Sequence, residues 1–130
     1  MIVVDASVVV EILLSTPAAN AIAERLFVPR ETLHAPHLMD VEVAQVLRRY
    51  VARGDVDPEH GRALILLLAQ FPIARHAHQP LLPRIWALRD NFTAFDAAYI
   101  ALAEGLKAPL LTRDKGLASA PGPVASVELI

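Results

Sequence analysis

The sequence predicts an α/β protein, a three-layer α/β/α sandwich with a mainly parallel central sheet. Five short apolar runs rich in β-branched residues alternate with longer segments of helical pattern, and that alternation implies parallel pairing. The composition, 55% apolar and 20% charged over 130 residues, is globular and sized for a single domain spanning 1–130 with one core.

The elements follow in order. "IVVD" (2–5) reads as a buried strand, followed by a short helix through Leu14. Thr16-Pro17 reads as a cap with Pro at the first helical position, opening a helix over 17–27. "TLHAP" (32–36) is a short strand halted by Pro36. A helix then runs from about His37 to Arg53, with Gly54 as its stop. Asp57 caps the next helix, which begins at Pro58 and carries "RALILLLAQF" up to Pro72. "IARHA" (73–77) is strand-like and "PLLPRIWALRD" (80–90) helical. Thr93 caps "AFDAAYIALAEGL", "PLLT" (109–112) is a strand, and "VASVEL" (124–129) is the last one. The chain shows no internal repeat or low-complexity tract, and the Pro/Gly-containing stretch 119–123 is a loop.

The absence of cysteine excludes a disulfide framework and thiolate sites, and it suits a reducing compartment. No basic leader precedes the first apolar run, which Asp5 and Glu11 interrupt, so no signal peptide is expected. The longest apolar stretch, "ALILLLAQFPIA" (63–74), is too short to cross a bilayer. A soluble, cytoplasmic protein is the expectation. The net charge of −2 is not that of a passive nucleic-acid binder. With four of the 14 acids committed to a metal, however, 12 basic residues stand against 10 acidic ones.

In a parallel sheet, ligands bind outside the C-terminal ends of the strands. Asp5 ends the first strand and Asp114 lies two residues past "LLT", so both fall on that edge. Two helical acids join them. Glu42 borders an inner face marked by Leu38, Val41, Val46 and Tyr50. Asp96 stands in line with Thr93, Ile100 and Ala103, a costly position for an unpaired charge. Each has an ordinary alternative: Asp5 as a cap of the following helix, Glu42 as a partner of Arg49, Asp96 as an acceptor for first-turn amides, Asp114 as a turn residue. Asp40, Asp55 and Asp90 read as solvated turn or helix-start residues.

Together the four acids have a common chemistry. Carboxylates a few Å apart repel by about 1 to 4 kcal/mol per pair, and a hard divalent cation turns that repulsion into attraction. Oxygen-only ligation suits Mg²⁺ or Mn²⁺, which can activate water for displacement at phosphorus. Ser7 and Thr112 sit near the strand-end acids as supporting hydroxyls.

Four segments, "VVDASVVV", "APHLMDVEVAQVLRR", "FTAFDAAYIALAE" and "LLTRDKGLA", resemble in content and order the PIN domain, and within it the VapC-type toxins of toxin–antitoxin pairs. The resemblance covers nearly the whole chain. It implies a metal-dependent endoribonuclease in which Asp5, Glu42, Asp96 and Asp114 bind one or two Mg²⁺ or Mn²⁺ ions, with Ser7 and Thr112 supporting the first and last. Relatives of this kind cut structured RNA such as tRNA or rRNA, leaving a 5′-phosphate and a 3′-hydroxyl. A VapB-type antitoxin restrains them, and they often form a homodimer. Phe95 departs from the Tyr that many relatives carry before the third acid.

Other features carry two readings each. The helices at 17–27 and 58–70 are candidate partner surfaces, although Leu64 to Leu68 could equally pack the core. His34/His37 and His76/His78 have zinc-like spacings but no third ligand nearby, so they read as hydrogen-bonded surface residues. Arg48, Arg49 and Arg53 either meet RNA phosphates or form a solvated helix end. Arg113 and Lys115 flank Asp114 and would lie close to a bound phosphate. Two rival functions are a phosphohydrolase of a related fold with Asp5 as nucleophile, disfavoured by Ser at position 7, and a non-catalytic partner-binding module holding a structural ion.

Overall fold

The computed structural model describes residues 1–130. Five strands, β1 (Ile2–Val4), β2 (Leu33–Pro36), β3 (Ile73–His76), β4 (Leu110–Thr112) and β5 (Val127–Leu129), form one sheet in the order β3-β2-β1-β4-β5. Every pairing is parallel, so the sheet is parallel throughout. The chain winds from the central β1 outward to β3, then returns to the other side of β1 for β4 and β5. The order therefore reverses between β1 and β4. A crevice opens outside the strand ends at such a reversal, and the segments following β1 and β4 lie beside it.

Seven helices complete the layers: α1 (Ala6–Leu13), α2 (Ala19–Leu26), α3 (Leu38–Ala52), α4 (Pro58–Gln70), α5 (Leu82–Ala87), α6 (Ala94–Leu106) and α7 (Lys115–Ser119). α1 packs on α2, α3 and α4, while α5 packs on α6. With right-handed crossovers this sets α1–α4 on one face and α5–α7 on the other.

Local chemistry accounts for most boundaries. Asp57 accepts the amides of Glu59 (3.1 Å) and His60 (3.4 Å) with Pro58 behind it. Thr93 accepts the amide of Asp96 at 3.2 Å, and Gly54 (φ +79°) ends α3 in a conformation that costs a side chain. Four boundaries differ from the sequence expectation. Thr16 does not cap a helix from 17; its hydroxyl donates to Glu11 and α2 starts at Ala19 with no side-chain cap. The 80–90 helix divides into a 3-10 turn (Gln79–Leu81) and α5, which closes at Ala87. "DKGLAS" is not a plain turn, because Asp114 starts α7. The last strand spans only Val127–Leu129.

The inner face of α3 also differs. Met39, Val43 and Leu47 are the buried row, whereas Val41 is 72% exposed. The row Leu38, Glu42, Val46, Tyr50 lies one residue round the helix, half-buried. Asp40 is not simply solvated. It takes a forked pair of bonds from Arg75 (3.0 and 2.9 Å), whose remaining donors reach the carbonyls of Leu68, Phe71 and Ile73. One guanidinium thus ties α3, the end of α4 and β3 together.

The histidines do not form the pairs suggested by spacing. His34 Nδ1 lies 2.9 Å from His76 Nε2 across the β2–β3 pairing, and Thr32 closes the other side of His34. No helix is long and apolar enough to cross a membrane.

Candidate metal and nuclease site

The parallel register of β1 and β4 builds the first half of the site. Val3 is opposite Leu110 and Val4 opposite Leu111, so the next positions, Asp5 and Thr112, face each other. Thr112 Oγ1 donates to Asp5 Oδ2 at 2.5 Å and accepts the amide of Asp114 at 2.9 Å. Ser7 Oγ donates to Asp5 Oδ1 at 2.5 Å and accepts the amide of Arg113 at 3.0 Å. Asp5 Oδ1 also accepts the amide of Val8 (3.2 Å), capping α1. Cap and cleft residue are therefore one side chain.

These two relays set the chemistry of Asp5. Each hydroxyl accepts a backbone amide and donates its one proton to the carboxylate. At 6% exposure, burial pushes the Asp5 carboxyl up, while the hydroxyls of Ser7 and Thr112 and the Val8 amide pull against it. The arrangement is built for an ionised acceptor.

Helices α3 and α6 supply the second half. Glu42 Oε1 accepts the phenol hydrogen of Tyr99 at 3.0 Å. Its carboxyl is raised by burial and by the nearby Asp96 and Asp5, with the Tyr99 bond opposing. Asp96, in the first turn of α6, is raised by burial and then by Asp114 and Asp5, with Thr93 opposing. Asp114 caps α7 through Oδ1, which accepts the amides of Gly116 (2.7 Å) and Leu117 (3.2 Å).

All four acids line one cleft of about 570 Å³, together with Ser7, Leu38, Val41, Gln45, Val46, Arg49, Phe95 and Tyr99. None of the four takes part in any ion pair. Glu42 does not pair with Arg49, and no arginine neutralises Asp96. Several negative charges thus face one space without an ion-pair partner, and the hydrogen bonds to them offset burial and repulsion only in part.

The donor chemistry fits a hard divalent cation, since every candidate ligand is a carboxylate oxygen. No three His, Cys, Asp or Glu side chains are gathered into a ready-made ligand shell. The carboxylates instead surround an open cleft.

The basic candidates separate. Arg49 lines the cleft. Arg48 is exposed, and Arg53 is held by Asp55 (3.1 Å) and stacks over Tyr50 at 4.8 Å. Arg113 turns to Glu11 (3.6 Å) and to the Ile130 carbonyl. Lys115 is exposed on α7 beside Asp114.

Tyr99 is the site residue that sequence reading missed. It is 1% exposed, and burial followed by the neighbouring Glu42 raises its phenol, keeping it a donor. Its signal was present: it lies three residues after Asp96, on the same helix face.

Comparison with known proteins accords with this geometry. Residues 2–123 match the PIN domain family. The chain is 42% identical over 130 residues to Ribonuclease VapC12 of Mycobacterium tuberculosis, covering 100% of this chain and 99% of the relative. Among solved structures, VapBC2 from Rickettsia felis bound to a DNA fragment from its promoter superimposes with a TM-score of 0.74 at 13% identity. That match covers 100% of this chain and 99% of the other. A toxin–antitoxin complex from Klebsiella pneumoniae gives a TM-score of 0.70 at 17% identity, covering 98% and 96%. The structural matches speak for the fold.

Proposed function

The chain belongs to the PIN-domain family and, within it, to the VapC-type ribonucleases, and from that premise we propose that its acidic cleft hydrolyses RNA phosphodiester bonds with Mg²⁺ or Mn²⁺. The observation that carries this is the convergence of Asp5, Glu42, Asp96 and Asp114 on one cleft, none of them ion-paired to a basic side chain. On this reading 1–130 works as one domain, because a single sheet and one core cluster hold every part of the site.

The roles follow from the hydrogen bonds. Asp5, Glu42, Asp96 and Asp114 would hold the ion. A bound divalent cation would supply an acidified water and neutralise charge developing at phosphorus. Ser7 and Thr112 favour the charged form of Asp5 and fix its orientation. Tyr99 orients Glu42, and Thr93 fixes the first turn of α6, which carries Asp96. Ser7 stands where a phosphohydrolase of the related fold would carry a second acid, and it is hydrogen-bonded to Asp5; this argues against that alternative. Lys115 is a candidate phosphate contact beside Asp114, whereas Arg113 is committed to Glu11 and the C-terminus.

The substrate class is RNA, with tRNA or rRNA the expected targets, and the partner is a VapB-type antitoxin. Ile65, Leu66 and Leu67 of α4 are exposed while Leu64 and Leu68 are buried, so apolar side chains fan across the outer side of this helix. That outer side is the proposed antitoxin seat, and a homodimer is the proposed free form. The cytoplasm is the proposed location, in keeping with a cysteine-free chain.

The test is cleavage of total cellular RNA by purified, antitoxin-free protein with Mg²⁺, with Mn²⁺ and with EDTA, beside Asp96→Asn. Discrete fragments that need the metal and vanish with the variant are expected. Equal cleavage by wild type and by folded Asp96→Asn would overturn the assignment. A protein that binds Mn²⁺ and cuts no RNA would be the partner-binding module instead.

A further inference from the structure

The cleft carries a second chemistry that four carboxylates do not need. Phe95 is 62% exposed and Val41 is 72% exposed, and both line the cleft with Leu38 and Val46. Full burial of a side chain of that size is worth about 1.5 to 3 kcal/mol, which Phe95 largely forgoes by standing open beside Asp96. A surface that read phosphate alone would have no use for it.

The same wall holds a cation. Arg49 is the only basic side chain lining the cleft, and it forms no ion pair. It also lines a smaller cavity of about 160 Å³ with Val46, Tyr50 and Arg53. The two spaces share Val46 and Arg49 and so adjoin each other along α3. Glu42 and Arg49 stand seven residues apart, about 10 Å along the helix axis.

We propose that the cleft takes an unpaired nucleotide beside the scissile phosphate, its base packed against Phe95 and Val41 and its flanking phosphate met by Arg49. The inference rests on the ribonuclease reading above and adds which side chains of this chain seat the nucleotide. A base offers a π-face to an aromatic ring only when it is out of the helical stack, so duplex RNA is excluded and loops or single strands are admitted. Stacking of this kind tolerates any base, because every base has such a face. Phe95 is then a specificity-determining residue rather than a catalytic one.

The test uses a single-stranded oligoribonucleotide cut by the wild type, the same strand in a duplex, and a copy with the nucleotide beside the cut made abasic. KM and kcat are measured separately for wild type, Phe95→Ala, Phe95→Trp and Arg49→Ala, with Mn²⁺ present. Phe95→Ala is expected to raise KM on the order of tenfold with kcat changed less than about threefold, and Phe95→Trp to restore it. The abasic strand should cost the wild type a similar factor and cost Phe95→Ala nothing further. Arg49→Ala should weaken all strands alike and flatten the salt dependence. Unchanged KM in Phe95→Ala, with Asp96→Asn inactive, overturns this inference and leaves the ribonuclease reading standing. So does a variant whose only defect is weaker inhibition by antitoxin, which would make Phe95 a protein contact. Wild type that cuts no strand at all overturns both.

Discussion

Thr112 is a short side chain with two obligations, one to the Asp5 carboxylate and one to the Asp114 amide. Thr112→Val keeps the shape and removes both. A largely buried carboxylate would lose a donor and an amide its acceptor, so we expect a loss of about 2 to 3 kcal/mol in urea denaturation. A loss below about 0.5 kcal/mol would mean that the relay does not hold in solution. Tyr99→Phe separates positioning from packing, since the ring stays and only the bond to Glu42 goes. Cleavage should fall about tenfold, as is usual for partners that orient metal ligands, with the melting temperature within a few degrees of wild type. An unaltered rate would remove Tyr99 from the site. At this scale the four candidate acids and the supporting hydroxyls of Ser7 and Thr112 could be picked out from residue type and position, but the bonds from Thr112 to Asp5 and from Tyr99 to Glu42 could not. Nothing in "VVDASV" states that Thr112, over a hundred residues away, closes on Asp5.

Helices α3 and α4 meet where Gly61 faces Val51. A Cβ at 61 would lie 2.9 Å from Val51 Cγ2, whereas one at Gly105 meets nothing within 4 Å. Gly61→Ala should therefore cost about 1 to 3 kcal/mol by overpacking. Gly105→Ala, inside α6, should gain up to about 1 kcal/mol from helix propensity. Equal effects in thermal melts would show that α3 and α4 do not approach so closely. α4 also divides by face: Leu68→Ala should lose about 2 to 5 kcal/mol from the core, while Leu66→Glu should leave fold and cleavage intact and weaken antitoxin binding. The caps at Asp57 and Thr93 and the Gly54 stop were readable because they are local chemistry. The buried row of α3 was misjudged because Val41 is apolar yet faces the cleft. Only the neighbouring elements decide which of two adjacent rows becomes the interior.

Across the whole molecule, the unpaired acids make stability depend on pH and on metal. Burial raises Asp5, Glu42 and Asp96 in the folded state, with neighbouring acids adding to the last two. A raised carboxyl binds its proton more tightly folded than unfolded. Its contribution is thus full below the unfolded pKa of about 4 and is lost as pH rises through the folded value. Without metal, Asp96→Asn should consequently be more stable than wild type at pH 7, with the gain shrinking as pH falls towards 4. A metal-free variant less stable than wild type at pH 7 would contradict the mutual repulsion. Mn²⁺ at a hundredfold excess over Kd should add about 2.7 kcal/mol to the wild type, on the order of 10 °C in Tm, reversed by EDTA. No shift would mean that the four acids share no ion.

Strand count, the type of most elements and the candidacy of the four acids are written locally, in hydrophobic period, caps and residue chemistry, and could be read from the sequence by itself. The strand order, the facing of Asp5 and Thr112, the placing of Tyr99 beneath Glu42 and the choice of Arg49 over Arg48 and Arg53 as the cleft's cation came only with tertiary structure. Each of those depends on contacts between segments tens of residues apart. Such contacts are set by how the helices pack on the sheet, and no single segment's composition contains that information.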